Sequence, residues 1–533
     1  FMGQETSTML KGGQSPFFGF PTYQQRWNVK FKGDAYDPKL TYNRPFSLDG
    51  WPSNSVFDYF YQMDWEKVPS AKKYLAGVLG RAEVMSEESK KTLLTDYPKL
   101  GEIKSQPTSH FSINWTGGGT YNHGLAKVAY GGYNDKDPNP SRPSPTASMG
   151  WLRGYGALYL MEVTKTRPKP LGGTHEGYEW TKNPGTTVPN LTNADYLKIC
   201  EAHQVSKGGR GNGSLTFNET DEEFGKYGNF AFQSRIDENL PMWKDLLDID
   251  GVQGNKSYHF FQDTVVCLGS SYQAGTDRSM ETTLFQEGLG NGKFGMIWDM
   301  KNVNRWNPEN PSFVHNGKEY TEPVKLENPL KESNYLISPF GHAWMIPGGQ
   351  SGKLKIDWSH RKTLYRYRWG FDAEGKQDAS NQHDMEGTTV IASLDHGPAR
   401  KESAHHYCVV LNSEGRDMNT FKEYVEQRQA NPGYRVIKQD EHSHAIVFNE
   451  NAKPLFSYLV FSPEQELDIP LVSSANTRVN LMMQPGENNE NTLSICDPCV
   501  DIEKDRNAEN FERSKEREVR ISFSKDLKVE LLS

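Results

Sequence analysis

The chain of 533 residues is long enough for two or three domains. Its 68 acidic side chains outnumber its 60 basic ones, and a net charge of −8 argues against nucleic acid as a partner. No apolar run approaches the roughly 20 residues that span a bilayer, and the chain opens at Phe1 with no initiator Met or charged leader, as a mature or cut polypeptide would.

Taken in order, residues 51–97 read as helical. Val56, Phe57, Phe60 and Tyr61 share one face. Ser70 is an N-cap ahead of the stripe Tyr74, Leu75, Val78 and Leu79, and "SEESKKTLL" places acids early and lysines late, as the helix dipole prefers. After residue 106 the pattern changes to short alternating runs set between Gly, Asn, Asp and Pro: "HFSIN", "AKVAY", "GALYLMEV", "DTVVCLG", "KFGMIWDM", "TTVIASLDHG", "HHYCVVL", "YRVIKQD" and "HAIVF". Many antiparallel strands are expected there. One helix interrupts them, "NTFKEYVEQRQAN", with an Asn/Thr cap and Phe421, Tyr424 and Val425 inward. The tail "EREVRISFSKDLKVELLS" returns to period two, and "NDKDPNPSRPSPTAS" is a proline-rich loop.

Cys267 and Cys408 sit in apolar strands and read as inert core residues. "CDPC" (Cys496, Cys499) lacks the second pair a zinc site needs, so a local disulfide or free thiols are the plainer readings. The run "GKLKIDWSHRKTLYRYRWG" carries Lys353, Lys355, Arg361, Lys362, Arg366 and Arg368 against Asp357. It reads as a strand with one basic face, either an anion-binding surface or simply a solvated one.

Several stretches together resemble polysaccharide lyase family 8, the chondroitin ABC lyases within it. They are "GWLRGYGALYL", "HEGYEWTKNPGTTVP", "VVCLGSSYQAGTDRSMETTLFQ", "ASLDHGPARKESAHHYCVVL" and "FKEYVEQRQANPGYRVIKQDEHSHAIVF", in family order across about 110–450. The resemblance implies a mainly β fold: a large antiparallel β super-sandwich (106–395) and a smaller C-terminal β-domain (396–533), preceded by the helical end of an α/α toroid (1–105). It further implies cleavage of a uronate-containing polysaccharide, of the chondroitin, dermatan or hyaluronan type, by β-elimination.

That reaction removes a weakly acidic C5 proton. The uronate carboxylate must be neutralised by Arg, Asn or protonated His. A base must reach C5, and an acid must protonate the leaving oxygen; tyrosine can do both. By resemblance these roles fall on a His, a Tyr and an Arg of the toroid and a Glu of the β-domain. "TYNRPFSLDG" matches the Arg segment, which makes Arg44 the candidate, with Asn43 beside it. The family's His and Tyr lie upstream of this chain, Tyr23 is a poor substitute, and the place of the Glu is the proline-rich loop near Ser141, which has none.

The best local replacement is "GGGTYNHG", with Tyr121 and His123 as catalytic candidates and Asn122 as a substrate contact. Arg153 could pair with an acidic sugar, and Trp115, Trp151 and Tyr155 could stack on sugar faces. Core packing is the plainer explanation for each aromatic taken singly. Glu281 in "METTLF" reads as structural, held by a backbone or Arg partner. No ligand spacing marks a calcium or other metal site, so no cofactor is expected. The partner expected is an anionic polysaccharide, met outside the cytoplasm as a secreted, periplasmic or cell-surface protein. A non-catalytic sugar binder, or a β-subunit needing a separate helical chain that carries the missing His and Tyr, remains the alternative.

Overall fold

The computed structural model describes residues 91–103 and 156–217 in part, 227–235, 242–261, 263–289, 311–363, 385–412, 416–449, 454–462, 466–485, 491–496 and 518–524. The strands, in chain order, begin with a short ribbon of β1 (Met161–Val163) and β2 (Pro168–Pro170). Then come β3 (Thr187–Pro189), β4 (Arg210–Gly211), β5 (Leu215–Phe217), β6 (Tyr227–Arg235), β7 (Asp250–Phe261), β8 (Thr264–Gly275) and β9 (Ser279–Gly288). The middle of the chain adds β10 (Phe313–His315), β11 (Lys318–Tyr320), β12 (Lys325–Pro329), β13 (Asn334–Ile337), β14 (Ala343–Ile346), β15 (Lys353–Thr363), β16 (Met385–Pro398) and β17 (Ser403–Val410). After helix α1 (Met418–Ala430) follow β18 (Tyr434–Gln439), β19 (Ser443–Phe448), β20 (Leu455–Val460), β21 (Glu466–Ile469), β22 (Val472–Ala475), β23 (Val479–Pro485), β24 (Asn491–Cys496) and β25 (Ile521–Phe523).

These strands build a stack of four sheets. The largest has ten strands in the order β11-β10-β13-β14-β17-β8-β7-β6-β4, with β5 also on β6. A five-stranded sheet, β12-β15-β16-β9-β3, covers one face; another, β18-β19-β20-β23-β24, lies on the other, backed by the three-stranded β21-β22-β25. All pairings are antiparallel among the described residues.

Because the ten-stranded sheet is buried on both faces, its strands read as continuous apolar runs rather than as alternation. In β8, Val265 and Cys267 enter the core shared with Leu354, Trp358, Val390 and Leu394 of the first five-stranded sheet. Their neighbours Val266 and Leu268 face the other way, with Phe421 and Val425 of α1 and Ile446, Phe448 and Met482 of the C-terminal sheet. Gly269 fits this crowding: a Cβ there would lie 2.0 Å from the His405 ring. A third core, from Tyr458, Val460 and Leu481 to Leu467 and Val472, joins the last two sheets.

The strands expected at "DTVVCLG", "TTVIASLDHG", "HHYCVVL", "YRVIKQD" and "HAIVF" are β8, β16, β17, β18 and β19. Helix α1 forms where expected, but Asp417 is its cap: the carboxylate accepts from the Thr420 N–H at 3.0 Å. The expected boundary after residue 395 falls inside β16, and β17 still pairs with β8 and β14, so the chain leaves the large sheet only after Val410. Of the helices expected over 51–97, Lys91, Leu94, Thr95 and Tyr97 are described; the first three are helical, and Tyr97 precedes a short 3-10 turn at Pro98–Glu102. The strands expected at "HFSIN", "AKVAY" and "KFGMIWDM" lie outside the described residues.

Cys267 and Cys408 are free and buried; burial pushes the Cys408 thiol up to about 12 and Cys267 higher still, so both are inert at neutral pH. The stacked rings of Phe261 and Phe448, with centroids 4.2 Å apart, bind the ten-stranded sheet to the C-terminal one. Phe261→Ala should cost about 3–5 kcal/mol through the cavity it leaves, read as a lower urea midpoint with an unchanged slope.

Candidate functional site

The candidate residues Asn43, Arg44, Trp115, Tyr121, Asn122, His123, Trp151, Arg153 and Tyr155 all lie outside the described residues. What the structure does define is the anchor immediately after three of them. Gly156 follows Tyr155, and its carbonyl accepts a hydrogen bond from the Tyr258 hydroxyl on β7. Two residues on, the Leu158 N–H donates to Pro184 O at 2.8 Å, and the Gly185 N–H donates to Thr283 O on β9 at 2.7 Å. Gly185 sits at φ +81°, and a Cβ there would come within 2.3 Å of the Leu158 nitrogen. Only glycine allows that approach.

The donor that completes this corner is Lys256. It projects from β7 into the interior, fully buried, and its Nζ donates to the Gly185 carbonyl and, at 2.8 Å, to Thr187 Oγ1. Burial, with no carboxylate among its hydrogen-bond partners, lowers its pKa from 10.5 to about 7. Around it lie His396, whose Nε2 meets Thr282 Oγ1 at 2.8 Å, and His405, whose ring centroid is 5.2 Å from that of His396. Burial, then the Lys256 charge, brings His396 down to about 4. The two sheets are therefore joined here by a polar knot inside an apolar core.

The outer face of the first five-stranded sheet carries most of the described charge. Register places Lys353 opposite Asp395 and Asp395 opposite Glu281. Two pairs are diagonal across strands, Lys355 Nζ to Asp395 at 2.5 Å and Lys353 to Glu327 at 2.7 Å; Lys362 meets its direct register partner Glu386 at 3.1 Å, and Arg361 meets Asp357 along β15 at 2.9 Å. The basic strand face expected at "GKLKIDWSHRK" is thus one half of a cross-strand ion-pair ladder. Its cations are matched by acids on β12, on β16 and on β15 itself; Arg366 and Arg368 lie outside the described residues.

Glu281 is structural, as expected, but its partners are Lys182 and Ser393, whose hydroxyl donates at 2.5 Å. Lys182 also donates to Asn190 at 2.8 Å, and Gln286 donates to the carbonyls of Glu179 and Lys182, so residues 179–190 are stapled across the sheet. Arg278 closes the same segment with two bonds to Asp195, at 2.8 and 3.0 Å. Burial pushes the Asp195 carboxyl up, but Arg278 and Thr192 outweigh it and hold it at about 2.

A groove of about 580 Å³ opens at the end of this ladder, lined among others by Asp277, Ser279, Glu327, Asn328, Lys353 and Asp395. Asp277 is paired with Arg400 at 2.6 Å, and the other acids are paired as above. The groove offers hydroxyl, amide and ion-pair contacts but no unopposed cation. Among the described residues, no three His, Cys, Asp or Glu side chains gather as a metal site requires.

The family model for polysaccharide lyase family 8, super-sandwich domain, matches residues 144–422. The chain belongs to this family. It is 21% identical over 360 residues to the chondroitin sulfate ABC exolyase of Proteus vulgaris, covering 67% of this chain and 30% of that protein. With the chondroitin sulfate ABC exolyase of Bacteroides thetaiotaomicron it shares 23% identity over 390 residues, covering 70% and 32%. The chain thus spans about a third of the length of the curated relatives it matches. Among solved structures, a Paenibacillus xanthan lyase aligns with a TM-score of 0.48 at 14% identity, over 83% of this chain and 38% of that one. The Streptomyces coelicolor chondroitin AC lyase in complex with chondroitin sulphate aligns with a TM-score of 0.43 at 14% identity, over 83% and 51%.

Sequence reading missed Lys256, Tyr258 and Lys182. The signal for Lys256 was present: a lysine inside "GNKSYHFF", a strand with no exposed face. Because its pKa is about 7 folded and near 10.5 unfolded, the unfolded chain binds the extra proton between those values. Stability should therefore rise with pH from about 7 towards 10. Lys256→Met should lose that rise in a pH series of melting curves, while the wild type keeps it.

Proposed function

We propose that this chain forms part of a polysaccharide lyase that cleaves a uronate-containing polymer, of the chondroitin, dermatan or hyaluronan type, by β-elimination outside the cytoplasm. The observation that carries this reading is the match of the super-sandwich family model over 144–422. In the mechanism proposed, Arg44 and Asn43 neutralise the uronate carboxylate, so the charge that develops when C5 loses its proton is spread onto fixed donors. His123 takes that proton, and Tyr121 delivers one to the departing glycosidic oxygen. Asn122 and Arg153 bind flanking groups, and Trp115, Trp151 and Tyr155 supply flat surfaces for the sugar rings. Lys256 and Tyr258 hold the Gly156–Gly185 corner, which directly follows Trp151, Arg153 and Tyr155 in the chain.

The described cations support placing the substrate near these candidates rather than on the outer sheet face. There every basic side chain of β15 already holds an acid, and an anionic polymer would have to displace it. A second reading, a sugar binder or a subunit that works only with a separate helical chain, is favoured by the proline-rich loop near Ser141, which has no Glu at the place where the family resemblance expects one.

The test is incubation with chondroitin sulfates, dermatan sulfate and hyaluronan while following ultraviolet absorbance of the unsaturated uronate product. The proposal expects product from at least one polymer, and Arg44→Ala should lower kcat/KM by about 10²–10³, the usual loss for one transition-state donor. Binding without product would favour the sugar binder; product only after adding a helical chain would favour the subunit.

A further inference from the structure

The seam between the ten-stranded sheet and the C-terminal sheet is apolar at one end and polar at the other. The polar end contains Asn229, Ser257, His259 and Ser270 from the large sheet and His444 and Ser457 from the C-terminal one, each no more than 2% exposed. They form one continuous chain of hydrogen bonds, and its direction can be worked out from the groups at its ends.

Asn229 Nδ2 donates to the Leu481 carbonyl at 3.0 Å, which fixes the amide orientation, and to Ser457 Oγ at 2.9 Å. At the other end, Ser270 Oγ donates its single proton to the Asp440 carbonyl at 2.6 Å. Its 2.8 Å contact with His444 Nε2 must then be a bond donated by the ring. A neutral His444 has a bare Nδ1, which accepts from Ser257 Oγ at 2.8 Å. Ser257 has now spent its proton, so His259 Nε2 donates to it at 2.9 Å. His259 Nδ1 is left as the acceptor for Ser457 Oγ at 2.8 Å. Every hydroxyl and every ring nitrogen in the chain is satisfied once, with both histidines neutral and protonated on Nε2.

A second proton on either ring would make both of its nitrogens donors, and one would then point at a serine already donating to it. Among the described residues, no carboxylate bonds to either ring. On the hairpin above, the Asp440 carboxylate is turned to the N–H groups of His442 and Ser443 at 2.9 Å and to Lys438 at 3.4 Å, and Glu441 lies beside His442. On β17, His405 is a buried neutral ring and His406 is bonded to Tyr434. On β7 the Lys256 charge and the Tyr258 hydroxyl face the opposite side of the sheet, and Tyr458 on β20 donates to the Pro470 carbonyl.

We propose that this serine–histidine relay is an acid-sensitive latch between the super-sandwich and the C-terminal sheets, closed while both rings are neutral and opened by protonation of either. Burial holds His444 at about 3 and His259 well below 6.5. The sign follows: the latch is fully stabilising above about 6.5, where the rings are neutral in both states, and weakens as pH falls from there towards the folded values.

The experiment is hydrogen exchange of the full chain, corrected for intrinsic rates, between pH 7.5 and 4.5. It compares the wild type with His259→Gln, His444→Gln and the exposed control His360→Gln. Below about pH 6 the opening constant of β7, β19 and β20 should rise by up to about a hundredfold per pH unit in the wild type, and by about tenfold in either relay variant. β15, whose one histidine is the exposed His360, should keep its protection. Equal pH slopes in all four proteins, or simultaneous loss of protection in β15, would overturn the proposal. Should a glutamine variant fail to fold, ¹⁵N-histidine spectra of the wild type decide: two rings staying neutral and Nε2-protonated down to pH 5 support the latch, and ordinary titration near 6.5 refutes it.

Discussion

Everything described here depends on one sheet whose central strands are covered on both faces. The ten-stranded sheet is covered by a five-stranded sheet on one side and by α1 and the C-terminal sheet on the other. A polar side chain on its central strands therefore has no solvent to fall back on, and leaving it unpaired would cost about 1–3 kcal/mol. β7 meets this condition twice, once on each face. Lys256 and Tyr258 point towards the first sheet and bind the Gly156–Gly185 corner; Ser257 and His259 point the other way and begin the relay to His444 and Ser457. Period-two alternation turns one strand into two different fasteners.

The same constraint explains what was legible in the sequence. The buried strands were readable because burial on both faces leaves unbroken apolar runs such as "TVVCLG" and "HYCVV", and glycine and asparagine punctuate them. Family-like stretches marked the fold for the same reason, since their glycines and aromatics are packing requirements. "HEGYEWTKNPGTTVP" proves to be the segment stapled over the sheet by Gln286, Lys182 and Arg278, with Gly185 at its tightest point.

Charge was harder to read, because a strand shows its own side chains and not its neighbours'. Lys353, Lys355, Arg361 and Lys362 look like a basic face until β12 and β16 bring Glu327, Asp395 and Glu386 beside them. Glu281 looked in need of an arginine and meets a lysine from 99 residues earlier. The cap of α1 was misplaced by two residues for a related reason: Asn419 and Thr420 are both good capping types, and only the backbone path selects Asp417. The relay histidines were invisible in sequence, since "YHFF" and "SHAIV" give no hint that their rings meet through Ser257.

The two fasteners also divide the labour within the fold. The Lys256 corner holds Gly156 and Gly185, immediately after Trp151, Arg153 and Tyr155 in the chain. It can be rigid because a lysine bonded to a carbonyl and a hydroxyl keeps its geometry whether or not it holds its third proton. The relay has no such tolerance: each serine and each ring has one donor role and one acceptor role, and a single added proton breaks the sequence of them. The chain therefore joins its first two sheets by a contact whose geometry survives the loss of a proton from Lys256, and its second and third by one whose order of donors does not survive the gain of a proton.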